Sequence, residues 1–150
     1  MSDLRLREAA RADAPDIAEI EKLCFSSPWS LEAILYELDG NESARYIVRA
    51  EGRRVVAYAG LRVVLNEGHI TNLAVHPDFR GRGIGAAVLK ELIERTRRDD
   101  GLTDFTLEVR ASNAVASRLY ASAGFRAEGR RRGYYTEPLE DAIIMWLHTV

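Results

Sequence analysis

The chain has little to constrain it covalently: one cysteine, Cys24, and four prolines among 150 residues. A single thiol cannot close an intrachain disulfide, which excludes the stapled secreted scaffolds and gives no reason to expect an oxidising compartment. Long apolar runs are missing as well. None approaches the roughly 18 residues that a membrane-spanning helix requires, and the opening MSDLRLREAARADAP has no apolar signal-peptide segment. Nor is there an excess of one charge. Lys and Arg number 21 against 23 Asp and Glu, a net charge of −2, which argues against nucleic-acid binding by bulk positive charge. His69, His76 and His148 lack metal-ligand spacing, so no metal is expected. What is present, 47% hydrophobic and 29% charged residues, is the composition of an ordinary globular domain. At this length one domain over residues 1–150 is expected, burying about 70% of its unfolded surface. The expectation is a cytoplasmic domain with no membrane or nucleic-acid partner.

Periodicity divides the chain into eleven segments, in the order β-α-α-β-β-β-α-β-α-β-β. Leu4–Arg7 alternates as a first strand. Asp13 before Ala14-Pro15 reads as a helix N-cap, followed by the stripe Ile17, Ile20, Leu23 and Cys24. Ser30 caps a second helix bearing Leu31, Ile34, Leu35 and Leu38, closed by Gly40. Arg45–Ala50 and Val55–Leu65 flank a hairpin at Glu51-Gly52. Asn66-Glu67-Gly68 then turns into a strand over His69–Val75, which Pro77 ends. From Gly85 the period becomes helical, with Ala86, Leu89, Leu92, Ile93 and Thr96 on one face. Phe105, Leu107 and Val109 form the apolar face of a strand whose opposite face carries Glu108. Asn113 caps a short helix through Ala123. Phe125–Gly129 and Ala142–Leu147 are the last strands, joined by a loop containing Arg130-Arg131-Arg132 and Tyr134-Tyr135. A mixed α/β (α+β) sheet with helices on its faces is predicted.

Between a strand end and a helix start lies Arg80-Gly81-Arg82-Gly83-Ile84-Gly85. The first turn of a helix has unpaired N–H groups and partial positive charge, a natural phosphate site, and glycines let a diphosphate approach the backbone. Arg80 and Arg82 add mobile positive charge. By itself the segment reads equally well as a soluble turn. A Rossmann site, mimicked by Gly81, Gly83 and Ala86, fails on context. His76–Phe79 intervenes after the strand, and Asp104 precedes the next strand instead of ending it. A Walker A loop is excluded by the lack of a following Lys-Ser or Lys-Thr.

Three residues follow at fixed intervals: Glu108 on a strand, Asn113 at a helix start and Tyr120 within that helix. Each has an ordinary explanation alone, as a solvated side chain, a cap and a core ring. Together with Val75–Gly85 and Tyr120–Phe125 they resemble the GNAT superfamily of acetyl-CoA-dependent N-acetyltransferases, whose Q/R-x-x-G-x-G/A signature is matched by Arg80, Gly83 and Gly85. Pro28-Trp29-Ser30, Glu108–Asn113, Tyr134-Tyr135 and Glu140–Met145 narrow the likeness to the RimI type, which acetylates the N-terminal alanine of small-subunit ribosomal protein eighteen.

The resemblance implies a GNAT fold, a mostly antiparallel sheet splayed between its fourth and fifth strands, with acetyl-CoA as co-substrate in the splay. It implies that Leu73, Ala74 and Val75 pair with the pantetheine amides, that Gly81–Ala86, Ile84 included, cradle the pyrophosphate, and that Asn113 contacts the cofactor. Glu108 is the implied proton acceptor and Tyr120 the implied donor, with direct transfer to a peptide N-terminus of a ribosomal protein. Trp29, Tyr134 and Tyr135 are candidate walls for that peptide, and Glu137, with Glu140 and Asp141, a candidate attraction for a basic one. Arg130-Arg131-Arg132 runs against a uniformly acidic groove, and Cys24 fits a helix core stripe better than a nucleophile. Two other functions remain open: a GNAT enzyme acting on a small amine, and a non-catalytic acyl-CoA-binding regulator.

Overall fold

A computed structural model describes residues 5–149; Leu4, expected in the first strand, lies outside them. The elements follow the predicted order. Strand β1 (Leu6–Glu8) leads through a 3-10 turn to helix α1 (Ala14–Cys24) and helix α2 (Leu31–Leu35). Three strands follow, β2 (Ala44–Glu51), β3 (Arg54–Val64) and β4 (Glu67–Val75), then helix α3 (Ile84–Asp100). Strand β5 (Asp104–Arg110), helix α4 (Ala114–Ser122), β6 (Arg126–Thr136) and β7 (Leu139–His148) complete the chain. They build one seven-stranded sheet in the order β1-β2-β3-β4-β5-β7-β6, antiparallel at every step except the parallel pair β4–β5.

Strand alternation decides which helices cover which face. On β3, Ala57, Ala59 and Leu61 point into a cluster with Val88, Leu89, Leu92 and Ile93 of α3, whereas Tyr58 points into a second cluster with Ile17 and Ile20 of α1. Phe105, Leu107 and Val109 of β5 join the α3 side. Leu89 and Leu92 are wholly buried, and each burial of that kind stabilises by roughly 1.5–3 kcal/mol. The central sheet is thus sealed on both faces.

Several local expectations are corrected. Asp13 occupies the N-cap position of α1 without capping it; its carboxylate accepts from the Ala10 N–H at 2.7 Å and from both terminal nitrogens of Arg7 at 2.8 and 2.9 Å. Burial by itself would raise this carboxyl's pKa, but the bond to Arg7, then that to Ala10, outweigh it and hold the pKa below the usual carboxylate value. Ser30 does cap α2, accepting from Ala33, but the helix widens into a π turn over Tyr36–Gly40. Ala86 is exposed, and Ile84 and Val88 take its place on the buried face of α3. The β2–β3 connection is Gly52-Arg53 and the β3–β4 connection Leu65-Asn66, so Glu67 and Gly68 are strand residues. The largest difference is β6. Residues 130–136 are strand, not loop, and the β6–β7 connection shrinks to Glu137-Pro138. β6 is an edge strand exposed on both sides over most of its length, so no apolar alternation marks it.

At the far end of the sheet His148 joins three strands. One ring nitrogen lies 2.6 Å from Asp104 on β5 and the other 3.0 Å from Glu128 on β6, and the ring stacks on Trp146. The bond to Asp104, then that to Glu128, raises the His148 pKa above 6.5, and the same imidazole, then Thr103, lowers that of Asp104. The protonated imidazole therefore stabilises the fold fully below about pH 6.5, and this contribution disappears as pH rises through the raised value. Denaturant melts taken from pH 6 to 9 are expected to show a modest decline in stability that His148→Gln removes; an unchanged decline in the variant would contradict the assignment.

Candidate active site

Hydrogen bonding between β4 and β5 lasts three rungs, Glu67 with Asp104, Gly68 with Phe105 and His69 with Thr106. Beyond them residues 70–75 and 107–110 part, leaving a wedge-shaped gap between adjacent strands. A β-bulge begins the parting: Gly60 and Leu61 of β3 face Asn72 and Ile70, so Thr71 is the additional residue. Tyr46 braces it from the next strand but one. Its ring lies across Gly60, where a Cβ would come within 2.4 Å, and its hydroxyl reaches Asn72 at 2.9 Å. The predicted cofactor-pairing residues Leu73, Ala74 and Val75 form the β4 wall of this gap, with Leu73 and Val75 packed against the α3 cluster and Ala74 against that of α1.

At the open end of the wedge β4 runs into a 3-10 turn over Pro77–Phe79, capped when His76 Nδ1 accepts from the Asp78 N–H. Arg80–Gly83 then leads into α3. Gly81 and Gly83 both have φ near +75°, a left-handed conformation that costs an L side chain roughly 1–2 kcal/mol. Gly83 is the N-cap and offers no side chain, so the first N–H groups of a 17-residue helix carry no side-chain cap. A Cβ on Gly85 would stand 3.4 Å from Val75 and 3.5 Å from Leu119 of α4, so both elements approach this turn closely. The two arginines differ from expectation. Arg80 is not mobile; it donates to the Val75 carbonyl at 3.2 Å and reaches the Cys24 sulfur at 3.1 Å. Arg82 lies over the Phe79 ring, which Arg54 also approaches from β3. Arg54 escaped the sequence reading because only tertiary packing carries it there.

Glu108 is exposed on the face of β5 opposite Leu107 and Val109, which belong to the α3 cluster. Tyr120 approaches from within that cluster, nine-tenths buried and edge-on to Phe125. Burial, and then the nearby Tyr135, push its pKa up to about 12, so its proton stays on oxygen throughout the physiological range. Tyr135, on β6, is the common neighbour. Burial, then Tyr134, then the Glu108 carboxylate raise its pKa, while Arg110 opposes them. Asn113 caps α4, its side-chain oxygen accepting from Ala116 at 3.1 Å.

Around this centre the candidate peptide walls stand on two elements. Trp29 follows α1, its backbone N–H held at 2.9 Å by the buried carboxylate of Glu21, whose other oxygen takes the Tyr58 hydroxyl. Tyr134 and Tyr135 meet edge to face near the hairpin tip. Two of the three acids expected to attract a basic peptide are already engaged: Glu140 accepts from Ser112 and Arg110 at the end of β5, and Asp141 from Gly133 and Arg130 within the hairpin. Arg130 thereby acquires a structural role, and Arg131 lies over Tyr134. Glu21, Arg54 and Arg110 were missed; only Glu21 left a signal, a carboxylate four residues after Ile17 in the apolar stripe of α1.

A sequence profile described as the Acetyltransferase (GNAT) family matches residues 14–125. The chain belongs to that family. It is accordingly an N-acetyltransferase, of a family whose members use acetyl-CoA. A Salmonella typhimurium relative, ribosomal protein bS18-alanine N-acetyltransferase, is 41% identical over 140 residues, covering 90% of each chain. The Escherichia coli K12 protein of the same name is 39% identical over 139 residues, again covering 90% of each. The crystal structure of the E. coli ribosomal-protein-S18-alanine N-acetyltransferase superimposes with a TM-score of 0.86 at 36% identity, covering 96% of this chain and 92% of that one. Among the described residues no cluster of His, Cys, Asp and Glu is arranged to hold a metal ion, and no helix is long and apolar enough to cross a membrane.

The backbone of Gly83 sets the start of α3, so Gly83→Ala is expected to lower unfolding free energy by about 1 kcal/mol. Urea titration checks this; an unchanged midpoint would contradict the strain argument.

Proposed function

We propose that this N-acetyltransferase transfers the acetyl group of acetyl-CoA directly to the α-amine of the N-terminal alanine of ribosomal protein bS18, which makes its working place the cytoplasm. The observation that carries the proposal is the wedge between β4 and β5, with an uncapped helix N-terminus following β4; Glu108, exposed on one face of β5, and Tyr120, in the cluster on the other, both neighbours of Tyr135, support the roles given them here. The named relatives supply the acceptor.

Acetyl-CoA brings an activated thioester; the chain's own residues bind it and handle the protons. Leu73, Ala74 and Val75 suit the pantetheine arm as an added strand would. The N–H groups of residues 81–86 suit the pyrophosphate, with Arg82 beside them, and Asn113, at the start of α4, suits a further cofactor contact. Glu108, directly or through one water, takes the proton of the attacking amine. An α-amine with pKa near 7.7–8.0 costs only about half a kcal/mol to deprotonate at pH 7.4, whereas a lysine amine near 10.4 costs about 4 kcal/mol. An exposed carboxylate therefore serves an N-terminus better than a lysine. As the amine bonds to the carbonyl carbon, the carbon–sulfur bond breaks and Tyr120 gives its proton to the departing sulfur. The burial that raises the phenol also raises the basicity of a thiolate in the same dry slot, keeping donor and acceptor matched. Trp29, Tyr134 and Tyr135 border the acceptor, and Glu137, whose carboxylate is not tied into the hairpin, is the acid left to meet a basic peptide.

Tyr120→Phe and Glu108→Gln are each expected to lower kcat by about 10²–10⁴ while the acetyl-CoA dissociation constant stays nearly constant; wild-type turnover in both would overturn these roles. Mass spectrometry of bS18 after incubation with acetyl-CoA is expected to show one acetyl group on its N-terminal alanine, and a peptide with a blocked N-terminus is expected to remain unmodified. Acetylation of the blocked peptide would exclude α-amine specificity. Because Tyr120 titrates only near pH 12, kcat/KM should climb to a plateau as the amine deprotonates, with no decline between pH 8 and 10. A falling limb there would implicate a different acid.

A further inference from the structure

We infer that Arg110 is a positioning residue for acceptor binding: it holds the β6–β7 hairpin so that Tyr135 stands beside the face of β5 that carries Glu108. The inference rests on the reaction proposed above. Arg110 lies two residues after Glu108 and so shares its face of the strand. Its guanidinium is devoted to the hairpin. Nη1 donates to the Pro138 carbonyl at 3.0 Å and meets the Glu140 carboxylate at 3.4 Å, and Nη2 donates to the Glu137 carbonyl at 3.2 Å. The guanidinium carbon sits 4.3 Å from the centre of the Tyr135 ring. Glu140 continues the tie by accepting from the Ser112 N–H, just past the end of β5.

The sheet ties Tyr135 only at the hairpin end. β6 is an edge strand whose register with β7 breaks between Arg131 and Tyr135, so the pairs Tyr135–Glu140 and Thr136–Leu139 are cut off from the longer ladder and move with the hairpin. The Tyr134 contact comes from the neighbouring residue of the same strand. Arg110 is what links the ring to β5. Lysine is a poor replacement, because its single nitrogen has neither the planar fork that serves the two carbonyls through separate nitrogens nor a flat face to lie on the ring. The guanidinium's contacts are all with residues 135–140 of the hairpin, so their loss should weaken acceptor binding and leave acetyl-CoA binding intact.

Steady-state kinetics on an alanine-initiated peptide, with wild type, Arg110→Lys, Tyr135→Ala and the double variant, test this. R110K is expected to raise the peptide KM about tenfold, with kcat and the acetyl-CoA dissociation constant changed less than about twofold; in the Y135A background the same substitution should add less than about twofold. Hydrogen exchange should quicken at residues 133–140 and nowhere else. An unchanged peptide KM, equal losses in both backgrounds, weaker acetyl-CoA binding or loss of protection across the sheet would each overturn the inference while leaving the reaction standing. A wild-type protein inactive on the peptide would refute the reaction, and the inference with it.

Discussion

The structure depends on where two strands stop bonding to each other. β4 and β5 run parallel because α3 carries the chain from the end of one back to the start of the other, the connection that parallel neighbours need. Three rungs suffice to fix their register. After them the bulge at Thr71 redirects β4 and the strands diverge. The crossover helix begins where β4 ends, so the same connection that makes the pair parallel also delivers a row of free N–H donors to the mouth of the gap. Neither half of the site would exist without the other.

Everything around the gap keeps its two banks apart and rigid. On one bank Tyr46 spans Gly60 to reach Asn72, and Glu21 binds both the Tyr58 hydroxyl and the chain at Trp29. These contacts join the α1–α2 segment to the middle of the sheet through buried polar groups, which are costly to leave unmatched and therefore specific in where they can sit. On the other bank, Phe105, Leu107 and Val109 anchor β5 in the α3 cluster, which also receives Tyr120 and Phe125. Strand alternation sends Glu108 to the face of β5 away from the cluster that holds Tyr120, and Tyr135 of β6 neighbours both.

Much of this was legible from the residues, and the exceptions share a cause. The element order could be read because buried faces impose periods of two or 3.6, and the glycine-rich turn because left-handed backbone selects glycine. Residues 130–136 of β6 were misread because an edge strand wet on both sides has no apolar rhythm, and arginines there look like a loop. Asp13 reads as a cap because a carboxylate beside a helix start has two possible partners, and here Arg7, six residues earlier, takes it. The parting of β4 and β5 is a relation between segments some 30 residues apart, and family likeness alone announced it. Arg80 reads from the sequence as mobile positive charge, yet a tertiary contact with the Val75 carbonyl and Cys24 holds it down.

The shortness of the β4–β5 seam has a thermodynamic corollary. The sheet is two antiparallel ribbons, β1 to β4 and β5-β7-β6, stitched by three rungs and backed by a single long helix. A molecule lying along the unpaired stretch of β4 would act as a missing strand, supplying bonds the polypeptide does not make for itself. Occupancy and folding then draw on one free energy, and the melting temperature becomes a gauge of how full the seam is, because a hundredfold excess over the dissociation constant adds about 2.7 kcal/mol to the free energy of unfolding.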